Sequence, residues 1–176
     1  MFREQGLGVS VKDVMGAAGL THGGFYGHFE SKDALVAAAC ASAFESSFER
    51  WRKRTESAKS RESAHAALIE GYLTSQNRAS PGTSCPLAAL ATDVGREAED
   101  KPVRKVFQDG LERLIQSLTE VQSPTDPDGA RDEALTQLAT LVGAMVLARA
   151  TSGAALSDEI MNAAKRSLLR ACKAAS

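Results

Sequence analysis

The chain has 176 residues, 43% hydrophobic and 24% charged, enough to bury a core and stay soluble as one large domain or a small domain joined to a medium one. Its formal net charge of −1 gives no whole-chain signal for nucleic acid, although a basic patch can persist locally. Only 5% of residues are aromatic, and an apolar set dominated by alanine and leucine favours helices over strands.

In chain order, Ser10 to Ala18 reads as a short helix, with Val11, Val14, Met15 and Ala18 on one apolar face. Ser10 with Asp13 makes a variant capping box, and Gly19 is a natural stop. A second short helix is expected after Thr21, a good N-cap, with Phe25 and Phe29 one turn apart on its core side. Ser31 caps a long helix carrying Val36, Cys40, Phe44, Phe48 and Trp51, which fades in the basic run "RWRKRTESAKSR". From about Glu62 a further face contains His65, Leu68, Ile69, Tyr72 and Leu73, interrupted by the turn-rich "RASPGTSCP". Leu87, Leu90, Ala91 and Val94 mark a short helix, and Val103 to Leu118 carries the cleanest stripe. "SPTDPDG" reads as a loop, followed by helices from about Ala130 to Thr151 and from Ser157 to Lys173. The expected fold is all-α.

Two short helices around a tight Gly-Leu turn make a helix-turn-helix, whose second helix enters the DNA major groove. Thr21 and His22 would reach base edges first, while Gly23 and Gly24 would let the backbone approach. Tyr26 would send its hydroxyl to a phosphate, and His28 and Lys32 would follow near the next helix start. Taken singly, such histidines are more often surface or packed groups; the constellation is what carries the reading.

The segment "VSVKDVMGAAGLTHGGFYGHFESKDAL" resembles the helix-turn-helix of the TetR/AcrR family of transcriptional regulators, through Ser10, Ala18-Gly19, Tyr26, His28-Phe29 and Ser31-Lys32. That resemblance spans roughly the first 40 residues. It implies a DNA-binding domain over residues 1–40 and a helical effector-binding and dimerisation domain over residues 41–176. It also implies a homodimer on a palindromic operator, usually a repressor released by a small molecule. The opening "MFREQG" resembles only the end of the family's first helix, so a truncated brace for the motif is expected.

In the second half, "LTQLATLVGAMVLARA" is apolar all round and Ile160, Ala164, Leu168 and Ala171 form a narrower seam. Two such helices per subunit would build a dimeric four-helix bundle, with an intramolecular core as the plainer reading. His65, Tyr72, Phe107 and Met145 are candidate lining for an effector pocket, each with core packing as its commoner role. Cys85 precedes Pro86 at a helix start, where the dipole favours a thiolate. Some TetR-like regulators sense electrophiles or oxidants through a cysteine in this region, so Cys85 is a candidate sensor. Cys40 reads as core and Cys172 as incidental.

Three isolated cysteines give neither a disulfide framework nor a zinc site and suit a reduced cytoplasmic setting. The start lacks an apolar signal region, and no apolar run approaches the roughly 20 residues a membrane helix needs. No phosphate loop, Gly-x-Ser-x-Gly or buried carboxylate pair suggests an enzyme, and no cofactor or metal is expected. The rival to a regulator is a dimeric ligand-binding or interaction protein whose DNA-binding unit is impaired by the short first helix.

Overall fold

The structure, a computed structural model, describes residues 1–122 and 129–174, without the side chains at positions 22, 23 and 172–174. Regular structure among the described residues is helical throughout: α1 (Phe2–Gln5), α2 (Val11–Ala17), α3 (His22–Phe25), α4 (Lys32–Glu56), α5 (Arg61–Tyr72), α6 (Ser75–Ala79), α7 (Pro86–Arg96), α8 (Pro102–Val121), α9 (Ala130–Ala150) and α10 (Ala155–Ala174).

Five of these helices start by one device. The hydroxyls of Ser10, Thr21, Ser31, Ser60 and Thr74 each accept the backbone N–H of the residue three positions on. Each such bond satisfies a donor that the first turn cannot use, stabilising the helix by about 1 kcal/mol. α7 and α8 start instead with Pro86 and Pro102, whose fixed φ suits the first helical position.

Helix α4 is the axis of the molecule. Cys40, Phe44, Ser47 and Trp51 are buried along it, and it packs on α5, α7 and α8. Leu114, Ile115 and Leu118 of α8 meet Leu138, Leu141 and Met145 of α9 in one continuous core. α10 covers α9 and α5, and α7 sits among α1, α4, α8 and α9. The close approach of α4 to α8 depends on Gly110, because a β-carbon there would overlap the Phe44 ring.

Where sequence and structure differ, the reasons are local. α4 runs on to Glu56 because Arg52 pairs with Glu49 and Glu56 along its surface. The turn-rich stretch after Tyr72 is preceded by α6, held by Asn77 Nδ2, which donates to the carbonyls of Gly71 and Tyr72 at 2.9 Å each. α10 starts at Ala155 rather than Ser157, since Ser157 Oγ donates to the Ala148 carbonyl at 2.6 Å and ties two helices together instead of capping one. Residues 123–128 of the expected "SPTDPDG" loop lie outside the described residues.

Gly110→Ala is expected to destabilise the fold by about 1–3 kcal/mol, the overpacking cost exceeding alanine's gain in helix propensity. Gly95→Ala, where a β-carbon meets open space, is expected to be neutral or stabilising by up to about 1 kcal/mol. Urea denaturation of both variants checks the pair, and equal effects would contradict the packing account.

Candidate functional site

The N-terminal unit is organised by the turn after α2. Gly19 has φ +69°, a left-handed conformation that glycine adopts without cost. This lets Leu20 N donate to the Met15 carbonyl at 2.9 Å and Gly19 N to that of Gly16 at 3.1 Å. Together they form a Schellman close, which satisfies the last carbonyls of α2 and turns the chain at once into α3. Thr21 Oγ1 then accepts Gly24 N at 3.2 Å and starts the second helix.

Helix α3 is a single turn, and its two faces differ sharply. Phe25 is 1% exposed, stacked on Phe29 with ring centroids 5.9 Å apart. Tyr26, the next residue, is 67% exposed and meets Phe25 edge-on with ring centroids 5.0 Å apart. Thr21 and His28 are exposed, Gly24 and Lys32 half-exposed. Thr21, Gly24, Tyr26, His28 and Lys32 are thus all at least partly exposed within one short segment of chain. The side chain of His22 lies outside the described residues. Asp33, beside Lys32, is held by Lys101 Nζ at 2.7 Å, joining the start of α4 to that of α8.

Charge on this unit is sparse. Residues 1–39 contain Arg3, Lys12 and Lys32 against Glu4, Asp13, Glu30 and Asp33. Arg3 is already engaged with the Ser84 carbonyl at 2.7 Å. What the surface offers to a phosphate backbone is therefore two lysines, hydroxyls and backbone N–H groups.

The four residues expected to line an effector pocket do not form a single site. Tyr72 and Met145 are 2% and 1% exposed and packed into the core. His65 Nε2 lies 2.5 Å from Gln137 Oε1, which also accepts from Gln122 Nε2 at 2.9 Å. Phe107 packs edge-on against Phe44 at 5.6 Å and borders a shallow hollow on α8. A larger cleft of about 700 Å³ opens elsewhere, between the C-terminal halves of α4 and α8, over Trp51 and Leu68. Phe48 lies in its wall with the Arg113 guanidinium 3.8 Å from the ring centroid, and Arg113 also pairs with Glu45. No local pattern marks this cleft, because its lining comes from α4, α5 and α8, which lie far apart in the chain.

Cys85 does stand at the N-cap of α7, as its position before Pro86 implies. The expectation of a reactive thiolate needs correcting, however. The residue is buried, and burial pushes its thiol up from the ordinary range. The backbone N–H groups of Leu87 and Ala88 and the hydroxyls of Tyr72 and Ser47 act the other way without outweighing desolvation. Cys40 is pushed up to about 11 by burial alone. Alkylation of Cys85 by iodoacetamide in the native protein is therefore expected to be at least about tenfold slower than in the unfolded chain at the same pH. Its rate should have a pH midpoint above the ordinary thiol value of about 8.5. Mass spectrometry of the Cys85 peptide measures both, and a native rate equal to the unfolded one would contradict the burial argument.

Among the described residues, no cluster of three His, Cys, Asp or Glu side chains could hold a metal ion, and no helix is long and apolar enough to cross a membrane.

The geometry has counterparts in known proteins. Residues 1–39 match the family model described as bacterial regulatory proteins, tetR family. No curated protein matches the chain in sequence. Among solved structures, a TetR-family transcriptional regulator from Cytophaga hutchinsonii is similar with a TM-score of 0.80 at 21% identity, over 97% of this chain and 88% of the other. A TetR-family regulator from Agrobacterium tumefaciens gives 0.78 at 21% identity, over 97% and 90%. The reduced form of E. coli NemR gives 0.75 at 17% identity, over 94% and 89%. The first 39 residues thus carry the sequence pattern of the tetR family's regulatory proteins, and the chain as a whole has the fold of the TetR-family transcriptional regulators.

Proposed function

We propose that the protein is a one-component transcriptional repressor that binds a palindromic operator as a homodimer and leaves it when a small molecule binds. The observation that carries the reading is the division of labour within α3. Phe25 anchors the turn in the core while Tyr26 and Thr21 are presented outward and Gly24 is half-exposed. Thr21 and His22 read base edges, Gly23 and Gly24 admit the backbone, and Tyr26, His28 and Lys32 hold phosphates.

Dimerisation through α9 and α10 is supported by their outer faces, where Leu135, Val146, Leu147 and Leu156 are 40–56% exposed. Large aliphatic side chains repeated on two neighbouring helices favour burial against a second copy. The effector is assigned to the cleft between α4 and α8, whose volume suits a small organic molecule. Helix α4 links the two activities, since Lys32 at one end borders the DNA surface and Trp51 near the other lies under the cleft. An occupied cleft would hold α4 and α8 apart and change the spacing of the two recognition helices across the dimer. Cys85 is a signal input only if the α7 start opens first, because its thiol is otherwise buried and protonated.

Selection of bound fragments from a random DNA pool tests the reading. The expected product is a palindrome, and recovery of no site at low salt would leave the rival ligand-binding protein. With two lysines per protomer, the log–log salt slope is expected near about −4 for the dimer. Lys32→Ala should flatten it by about 2 and weaken all sequences alike. Tyr26→Ala should weaken operator binding while leaving the urea midpoint nearly unchanged, because its side chain is exposed. Thr21→Ala should weaken operator binding and also lower stability by about 1 kcal/mol through loss of the α3 cap.

A further inference from the structure

Four guanidinium groups gather at the turn that leads into α7. Arg3 Nη1 and Arg50 Nη2 both donate to the Ser84 carbonyl, at 2.7 and 3.2 Å. Arg149, reaching across from α9, donates to the carbonyls of Asn77 at 2.9 Å and Ala88 at 3.2 Å, and to Ser84 Oγ. Arg54, one turn beyond Arg50 on α4, lies across Gly71, where a β-carbon would collide with it. Every protein acceptor in this set is a neutral oxygen. Among the described residues no carboxylate forms an ion pair with Arg50, Arg54 or Arg149, and Glu4 offsets Arg3 alone. All four side chains are half-buried. Desolvation holds their pKa values down, and Arg50 lowers those of Arg3 and Arg54 further. Partly desolvated cations gathered together are ordinarily balanced by an anion.

The neutral donors at this point lack acceptors as well. Ser47 and Tyr72 are 1% and 2% exposed, and their hydroxyls approach the Cys85 sulfur without making a well-formed hydrogen bond. Arg149 Nε is buried and unpartnered too. The N–H groups of Leu87 and Ala88 in the first turn of the 11-residue α7 face the same sulfur. Charge, side-chain donors and helix N-terminus all favour one kind of ligand.

We propose that Arg3, Arg50, Arg54 and Arg149, with the start of α7, form a binding site for an oxyanion group, the carboxylate or phosphate of a small molecule. The four arginines are only partly buried as residues, so the anion enters from the surface side and replaces the Ser84 carbonyl as acceptor for Arg3 and Arg50. It lies beside Cys85 and outside the α4–α8 cleft. Binding there involves no DNA, so the site goes beyond the regulatory reading and stands or falls separately from it.

Calorimetric titration of the full chain with inorganic phosphate and, separately, acetate, at ionic strength fixed with sodium chloride, tests the site. Saturable binding of either probe is expected, phosphate alone marking a phosphate site and acetate alone a carboxylate site. Arg149→Gln and Arg54→Gln should each weaken it about tenfold or more. Arg54→Gln removes no hydrogen bond described above, and it serves alone if Arg149→Gln fails to fold by circular dichroism. As a local readout, the bound anion should slow alkylation of Cys85 but not of Cys40. Heats no larger than those with matched chloride would overturn the proposal, as would affinity unchanged in Arg54→Gln and any folded Arg149→Gln, or Cys85 alkylation indifferent to the probes.

Discussion

The Phe44 ring occupies the space that a β-carbon on Gly110 would need, and that one exchange of side chain for hydrogen sets how closely α4 and α8 run. Phe44 then touches Phe107 by an edge and Phe48 by a stack, so three rings fix the lateral position of the two helices. Toward the N-terminus the pairing continues into the Asp33–Lys101 ion pair and the buried Leu35 and Val36, which carry the helix-turn-helix unit. Toward the C-terminus it gives way to the cleft over Trp51 and Leu68. The helix-turn-helix unit and the cleft, at opposite ends of one tight helix pair, would suit the effector-controlled regulator proposed above. Interiors packed at this density move as units rather than deform locally.

Most of the fold was legible because helices advertise themselves locally. Capping hydroxyls at Ser10, Thr21 and Ser31, the proline at position 86 and the stripe from Val103 to Leu118 all act within a few residues of where they are read. The turn at Gly19 was equally plain, since only a left-handed residue closes that motif. What escaped detection depends on partners distant in the chain. Apolar spacing shows that Tyr72 and Met145 point inward, but not whether a cavity or another side chain meets them. The position of Cys85 reveals a helix start, yet its thiol is governed by burial beneath Ser47 and Tyr72, which are supplied by α4 and α5. The convergence of Arg3, Arg50, Arg54 and Arg149 leaves no local mark either, because each alone reads as a solvated charge on a helix.

The thin charge of the N-terminal unit has a consequence for how such a regulator would find its target. Proteins with many phosphate contacts are held on random DNA and scan it by sliding, at the cost of being sequestered there. A unit with Lys12 and Lys32 set against four carboxylates would be held weakly. For a regulator acting as proposed, most copies would be free in solution between encounters, and the operator would be found chiefly by repeated collision. Occupancy would then follow cellular copy number closely, and a modest fall in expression would empty the operator without any ligand at all.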